Sequence, residues 1–181
     1  MDAVRLRELF EHIDAALEKP TVLDLHGGAA VAMLGMSDRT TIDIDVLPTS
    51  VFEDASLRRA CESAGILFEP LGGDLLEREY LEVIPRSTLV LPVASDELPY
   101  DDVFRGRRLT VRTPPAADLV IGKLRRLDPT DVADVEFLVG RFALTAEELE
   151  ESFARLPRRL QRDPVIEDNW RYVWEDLLGR R

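Results

Sequence analysis

Cysteine and histidine are scarce in this sequence. Its 181 residues include one cysteine, Cys61, and two histidines. A single cysteine excludes disulfides within the chain and zinc modules built from several cysteines, and it favours a reducing, cytoplasmic location. Cys61 has no histidine near it in the sequence, so we interpret it as a packing residue rather than a nucleophile.

Long apolar runs and an excess of basic residues are also missing. No apolar run approaches the roughly 20 residues that a membrane helix requires, so we expect no membrane partner. Acidic residues outnumber basic ones by 35 to 23, which gives a net charge of −12. Most of this charge lies in residues 1–100, with net −11, whereas residues 101–181 carry net −1. Such an acidic chain is not expected to bind long duplex DNA.

Hydrophobic periodicity predicts a mixed α/β (α+β) fold, with a small mixed β-sheet flanked by helices and a helical part at the C-terminal end. We expect an α/β core over residues 1–115 and a helical part over residues 116–181 that completes the same site. The first predicted helix covers residues 3–18. Its expected apolar stripe consists of Val4, Leu9, Phe10, Ile13 and Leu17.

Further elements follow from alternation and capping signals. The segment IDIDVLP (42–48) predicts a strand with Ile42, Ile44 and Val46 on one face. Residues 50–65 predict a helix capped by Ser50 or Thr49. The segments ILFEPLGGD (66–74) and REYLEVIP (78–85) predict a hairpin or two neighbouring strands. A capping box formed by Thr145 and Glu148 predicts the start of a later helix.

The pattern Asp43-x-Asp45 places two carboxylates on one face of the predicted strand. Their Cβ atoms are expected about 7 Å apart along that face. Two such carboxylates repel each other, and a hard cation such as Mg²⁺ would relieve the repulsion. The alternative is that both simply lie on the solvated face of an edge strand.

A glycine pair, Gly27-Gly28, lies between a predicted strand and AAVAMLGM, a segment of small apolar residues that predicts a closely packed helix. Backbone N–H groups at such a turn can face a phosphate. The spacing matches neither the dinucleotide-binding nor the P-loop motif. An ordinary tight turn between strand and helix is the alternative.

The block GGAAVAMLGMSDRTTIDIDV (27–46) combines these features in order. It resembles the nucleotidyltransferase superfamily with the DNA polymerase β-like fold, and within it the prokaryotic branch of AbiEii/AbiGii-type toxins and related small domains. The resemblance implies that Asp43 and Asp45 are catalytic metal ligands for Mg²⁺ or Mn²⁺. The residues that it implies for binding the phosphates of an NTP here are Gly27, Gly28, Arg39 and Thr41.

The same branch has a later block that corresponds here to GKLRRLDPTDVADVEFL (122–138). The resemblance implies that Lys123 holds the triphosphate or its transition-state charge, and that Asp131 and Asp134 complete the nucleotide pocket. This chain departs from the family pattern before the aspartate pair, where Leu127-Asp128-Pro129 stands instead of an arginine. The alternative is a surface lysine on an amphipathic helix.

A third metal-binding carboxylate is expected on a neighbouring strand. Glu82 is the best candidate because it alternates with Leu81 and Val83, and Glu79 and Asp102 are the alternatives. The aromatic residues near the C-terminal end could stack on a base or anchor the last helix. They are Trp170, Tyr172 and Trp174.

Together these features predict a metal-dependent enzyme that transfers a nucleoside monophosphate from an NTP to an acceptor hydroxyl. The resemblance implies an RNA end, notably tRNA, as acceptor and a cognate antitoxin protein as partner. A cationic small molecule, as in aminoglycoside nucleotidyltransferases, would suit the acidic first part better. The alternative from another class is a non-catalytic nucleotide-binding or interaction module with this fold.

Overall fold

Strands and helices alternate in the first part of the chain, and helices follow in the last part, which confirms the predicted mixed α/β fold. The computed structural model describes residues 1–70, 78–91 and 98–179. Unit 1 comprises Met1–Ser87 and Pro99–Pro114, and unit 2 comprises Thr88–Leu98 and Pro115–Arg181. The predicted boundary lies after residue 115, and it assigned residues 88–98 to the first part.

The elements of unit 1 are α1 (Ala3–Ala16), β1 (Thr21–Asp24), α2 (Gly27–Met33), β2 (Asp43–Val46), α3 (Asp54–Ser63), β3 (Leu67–Phe68), β4 (Tyr80–Val83), β5 (Asp101–Arg105) and β6 (Leu109–Thr113). They form two three-stranded sheets with the orders β1-β6-β5 and β2-β4-β3. Only β5 and β6 pair antiparallel within these sheets. An antiparallel bridge between Leu25 and Val46 joins β1 to β2.

Helix α1 packs its apolar stripe into the core of unit 1. Leu6, Leu9, Phe10 and Ile13 are fully buried, and the Phe10 ring lies 5.7 Å from the ring of Phe104. The predicted stripe was wrong at its first member, because Val4 is 67% exposed. Leu6 takes that place, since it lies three and four residues before Leu9 and Phe10 and therefore shares their helix face.

Helix α3 begins later than predicted, with Glu53 rather than Ser50 or Thr49 as its N-cap. The Glu53 carboxylate accepts a hydrogen bond from the backbone N–H of Ser56 at 3.1 Å. Ser50 has another function, since its hydroxyl accepts from the backbone N–H of Asp24. Val51 forms a bridge with Val22 of β1 and so keeps the chain extended at this point.

Strands β3 and β4 are neighbours in a parallel arrangement, so the hairpin alternative was wrong. Residues 71–74 of the first predicted segment lie outside the described residues. Strand β5 was not predicted, because its exposed Asp101 and Asp102 obscure the alternation expected of a strand.

Asp14 of α1 fixes the turn between β5 and β6. Its carboxylate accepts hydrogen bonds from the backbone N–H groups of Arg107, Arg108 and Leu109 at 2.7–3.0 Å. Burial raises the pKa of Asp14, but these backbone hydrogen bonds outweigh that effect, and the pKa lies below its usual value. The ionised carboxylate therefore stabilises the folded state.

Replacing Asp14 with alanine should lower the free energy of unfolding by about 1.5–3 kcal/mol, because three backbone donors lose a charged acceptor. A depressed pKa contributes stability that is present above the ordinary pKa of aspartate and is lost as the pH falls through the folded-state value. Urea unfolding at pH 7 and pH 3 checks this, with the exposed Glu11→Ala as control. If Asp14→Ala lowers the free energy of unfolding by the same amount at both pH values, the prediction is contradicted.

The elements of unit 2 are α4 (Ala116–Lys123), α5 (Pro129–Phe142), α6 (Ala146–Ala154), α7 (Arg158–Gln161), α8 (Pro164–Tyr172) and a π-helical segment (Val173–Leu178). The predicted capping box of Thr145 and Glu148 at the start of α6 is confirmed. Buried Asp118 links α4 to α6, since it accepts hydrogen bonds from Ser152 and Arg155. Within the described residues, no helix combines the length and apolarity that a membrane span needs.

Candidate functional site

Strand β2 carries the two predicted carboxylates on one face. Ile44 and Val46 are fully buried, whereas Asp43 and Asp45, which alternate with them, are half-buried, as strand alternation requires. The prediction for Ile42 was wrong, because this residue precedes the strand and is 38% exposed. The alternative, in which both aspartates lie on a solvated strand face, describes them only in part, because neither aspartate is fully exposed.

Strand β4 brings a third carboxylate to the same place. In the parallel register, Tyr80 lies opposite Asp43 and Glu82 lies opposite Asp45. The carboxyl groups of Glu82 and Asp45 therefore occupy neighbouring positions across the two strands. Three acidic side chains therefore meet on adjacent positions of β2 and β4.

The two alternative candidates for the third carboxylate are engaged elsewhere in unit 1. Glu79 accepts hydrogen bonds from the Arg5 guanidinium at 2.8 and 3.2 Å. Asp102 is on the edge strand β5 and forms an ion pair with Arg105. Of the three candidates, Glu82 is the one opposite Asp45 in the strand register.

The electrostatics of this cluster show crowded negative charge. Burial raises the pKa of Glu82, and the charges of Asp43 and Glu69 raise it further, against a smaller opposing effect of Asp45. Burial, with the charges of Asp43, Glu82 and Asp45, raises the pKa of Tyr80 to about 12. A bound cation would lower the energy of the ionised cluster.

The glycine pair lies directly against this cluster. The backbone N–H of His26 donates to the carbonyl of Asp45 at 2.8 Å, which holds the start of α2 beside β2. Gly27 has φ +62°, and a Cβ atom there would overlap with Asp45 Oδ2. Only glycine combines this backbone conformation with such a close approach. Position 27 therefore requires glycine because of its contact with Asp45, a predicted site residue.

Arg39 and Thr41, both predicted to bind phosphate, also lie at the cluster. The Arg39 guanidinium lies over Gly28, with its Cζ 2.8 Å from where a Cβ would be. The Thr41 hydroxyl donates a hydrogen bond to Asp43 Oδ1. The structure thus brings Gly27, Gly28, Arg39, Thr41, Asp43, Asp45 and Glu82 together in unit 1.

The donors of this cluster suit a hard divalent cation, because all are carboxylate oxygens. Across residues 1–70, 78–91 and 98–179, however, no three histidine, cysteine, aspartate or glutamate side chains are arranged to hold one metal ion. Mg²⁺ commonly uses only one or two carboxylates, with water and substrate phosphates as its other ligands. Asp43 and Asp45 on one face of β2 fit that pattern.

Lys123, Asp131 and Asp134 form a separate cluster in unit 2. The Lys123 ammonium donates to Asp131 at 3.1 Å and to Asp134 at 2.6 Å, and all three side chains are at most 7% exposed. Arg126 adds a hydrogen bond to Asp131 at 2.9 Å. Burial raises the pKa of Asp131, but Arg126 and Lys123 outweigh that effect and lower it. The surface-lysine alternative was therefore wrong.

Two features beside the site were not foreseen. The sequence contains a signal for Tyr80, because it precedes Glu82 by two residues and so shares a strand face with it, just as Asp43 shares one with Asp45. Buried Asp24, two residues before His26, accepts a hydrogen bond from Arg112 Nε at 2.8 Å and forms an ion pair with the same guanidinium, which lies 4.6 Å from the ring centre of Tyr100. This ion pair depends on the pairing of β1 with β6, which no local pattern reveals.

Comparison with protein-family models, curated proteins and solved structures finds no match to this chain. A functional interpretation therefore depends on the sequence pattern and on the geometry of the two clusters.

Replacing Glu82 with glutamine should raise the free energy of unfolding by up to about 1 kcal/mol at pH 7 without divalent cations. Like charges directly opposite on paired strands are destabilising. A raised pKa means that stability is present below the ordinary pKa of glutamate and is lost as the pH rises through the folded-state value. The gain should therefore vanish near pH 4.

Thermal unfolding in a chelator at both pH values measures this effect, which corresponds to roughly 2–4 °C in Tm. Glu11→Gln, an exposed residue of α1, is the matched control. A Glu82→Gln variant that is less stable than the original protein at pH 7 would show that this carboxylate is not repelled by its neighbours.

Proposed function

We propose that this protein is a metal-dependent nucleotidyltransferase, which transfers a nucleoside monophosphate from an NTP to an acceptor hydroxyl. The observation that carries the proposal is the close approach of Gly27, the first residue of α2, to the carboxylate of Asp45, which shares one face of β2 with Asp43. The similarity of residues 27–46 to that superfamily supports the same function.

The proposed role of each residue follows from its contacts in unit 1. Asp43 and Asp45 would hold Mg²⁺ or Mn²⁺, which would supply charge neutralisation for the phosphates. Thr41 orients Asp43 through its hydroxyl hydrogen bond. The Arg39 guanidinium over Gly28 offers planar donors to phosphate oxygens. The side chains absent at Gly27 and Gly28 make room for the Asp45 carboxylate and the Arg39 guanidinium.

Glu82 has a supporting role in this proposal. It lies opposite Asp45, and burial together with the charges of Asp43 and Glu69 raises its pKa, which suits a group that takes up a proton. The role of Lys123 and Asp134 in phosphate binding stays a prediction. In unit 2 their charges neutralise each other.

The acceptor is proposed to be an RNA end, notably tRNA, with an antitoxin protein as the partner that controls the activity. This assignment comes from the family resemblance. A cationic small molecule as acceptor is the second possibility, and the net charge of −11 over residues 1–100 favours it.

Incorporation of labelled nucleotides tests the proposal. Each labelled NTP is incubated with the protein and Mg²⁺ or Mn²⁺, together with total RNA, with protein or with aminoglycosides. The matched control is the double variant Asp43→Asn with Asp45→Asn, which keeps the shape of both side chains. Label in RNA that the double variant fails to add would support the transferase and identify its acceptor.

Other outcomes discriminate between the alternatives. Labelled aminoglycoside would support the small-molecule transferase. NTP binding that depends on Mg²⁺ but leads to no transfer would favour the non-catalytic module. Absence of NTP binding would overturn the interpretation of Gly27, Gly28, Asp43 and Asp45.

A further inference from the structure

A small open cavity of about 260 Å³ in unit 2 is lined by two tryptophans and by charged side chains. The lining residues are Glu150 of α6, Glu167, Trp170 and Arg171 of α8, and Trp174 of the π-helical segment. Its size suits a small ligand rather than a cofactor.

The aromatic wall of the cavity is built by stacking. Trp170 stacks on Phe153 of α6 with ring centroids 4.7 Å apart and an interplanar angle of 13°. The ring centroid of Trp174 lies 5.7 Å from that of Trp170 at an angle of 43°, so the two indoles pack against each other as a tilted pair. The wide π-helical turn that begins at Val173 carries Trp174, and such turns are frequent at functional sites.

The charge at the cavity selects the kind of ligand. Arg171 forms an ion pair with Asp168 at 3.2 Å, which offsets its positive charge. Neither Glu150 nor Glu167 forms an ion pair with a described residue, and both are exposed. Indole faces attract cations through their negative π surfaces, and the two carboxylates add to that attraction. A nucleotide could stack on the indoles, but the carboxylates would repel its phosphate.

We propose that this cavity binds a small organic ammonium cation, with the indoles of Trp170 and Trp174 on one side of the ligand and the carboxylates of Glu150 and Glu167 on the other. The site belongs to unit 2 and is independent of the function proposed for Asp43 and Asp45. Its ligand class is a quaternary or protonated amine of about the size of choline.

Intrinsic fluorescence tests this site directly, because Trp170 and Trp174 are the only two tryptophans of the chain. The probes are choline and 3,3-dimethyl-1-butanol, an uncharged molecule of the same shape, at constant ionic strength. We expect a saturable change with choline and about tenfold weaker binding of the uncharged molecule. Equal binding of both, or no change up to about 100 mM choline, would overturn the proposal.

Variants separate binding from folding. The double variant Glu150→Gln with Glu167→Gln should weaken choline binding about tenfold while the circular dichroism spectrum stays the same. Glu147→Gln with Glu151→Gln, two exposed positions of α6, is the matched control and should bind as the original protein does. Equal affinity of both double variants, or tighter binding of AMP than of choline, would contradict the proposal. Asp43→Asn should leave choline binding unchanged, whatever its effect on nucleotide transfer.

Discussion

Replacing Lys123 with methionine should lower the free energy of unfolding by about 3–5 kcal/mol. The Lys123 ammonium lies between the carboxylates of Asp131 and Asp134, and all three side chains are nearly or fully buried. Removing one partner of a buried ion pair leaves an uncompensated buried charge, which is far more costly than loss of a surface pair. Methionine retains most of the apolar stem, so the loss reports on the charge.

Urea unfolding followed by tryptophan fluorescence suits this measurement, because both tryptophans lie in unit 2 together with Lys123. Lys19→Met is the matched control, since Lys19 is exposed and should change stability by less than about 0.5 kcal/mol. Adding Asp131→Asn and Asp134→Asn to Lys123→Met should recover part of the loss. If Lys123→Met is as stable as Lys19→Met, the ammonium does not hold α4 and α5 together.

This result also decides how a loss of activity in a Lys123 variant is interpreted. A lysine that neutralises two buried carboxylates stabilises unit 2 whether or not it binds phosphate. The activity of Lys123→Met should therefore be measured without urea, after tryptophan fluorescence has shown that unit 2 is folded. A folded variant without activity would support the predicted role in phosphate binding.

Replacing Asp43 with asparagine should reduce nucleotide transfer by at least about 10²–10³-fold, the range seen when one electrostatic stabiliser of a transition state is removed. This expectation rests on the proposed function. Asparagine can still accept the hydrogen bond from Thr41, so the strand geometry should be kept. The carboxylate charge that would bind the cation is lost.

Initial rates of labelled nucleotide transfer, together with thermal unfolding of the same preparation, measure both effects. We expect unchanged or slightly raised stability, since Asp43 contributes to the repulsion at Glu82. Asp38→Asn, an exposed position in the loop before β2, is the matched control and should retain full activity. Full activity of Asp43→Asn would show that Asp43 is not a ligand of the catalytic metal.

Several features could be predicted because they depend on near neighbours in the chain. Alternation places Asp43 and Asp45 on the same face of β2, and the burial of Ile44 and Val46 follows from the same period. The capping box at Thr145 needs only the side chain three residues later. Small residues after Gly28 predict a closely packed helix, and α2 is that helix.

Other features depend on which segments pair, and no local pattern contains that information. The register of β2 and β4 decides that Glu82 rather than Glu79 lies opposite Asp45. The start of α3 depends on Ser50 and Val51 bonding to β1, an interaction that overrides their capping preference. The packing of α4 on α5 makes Lys123 a buried partner of two aspartates rather than the surface lysine of the alternative interpretation.

The sequence by itself determined the mixed α/β class, the glycine pair and the paired carboxylates, because each is specified within about 20 consecutive residues. Only the tertiary structure decided that Gly27 contacts Asp45 and that two tryptophans line a cavity with Glu150 of another helix. Contacts between distant segments form through burial of apolar surface, which is not directional. Their exact partners are therefore set by the packing of the whole unit.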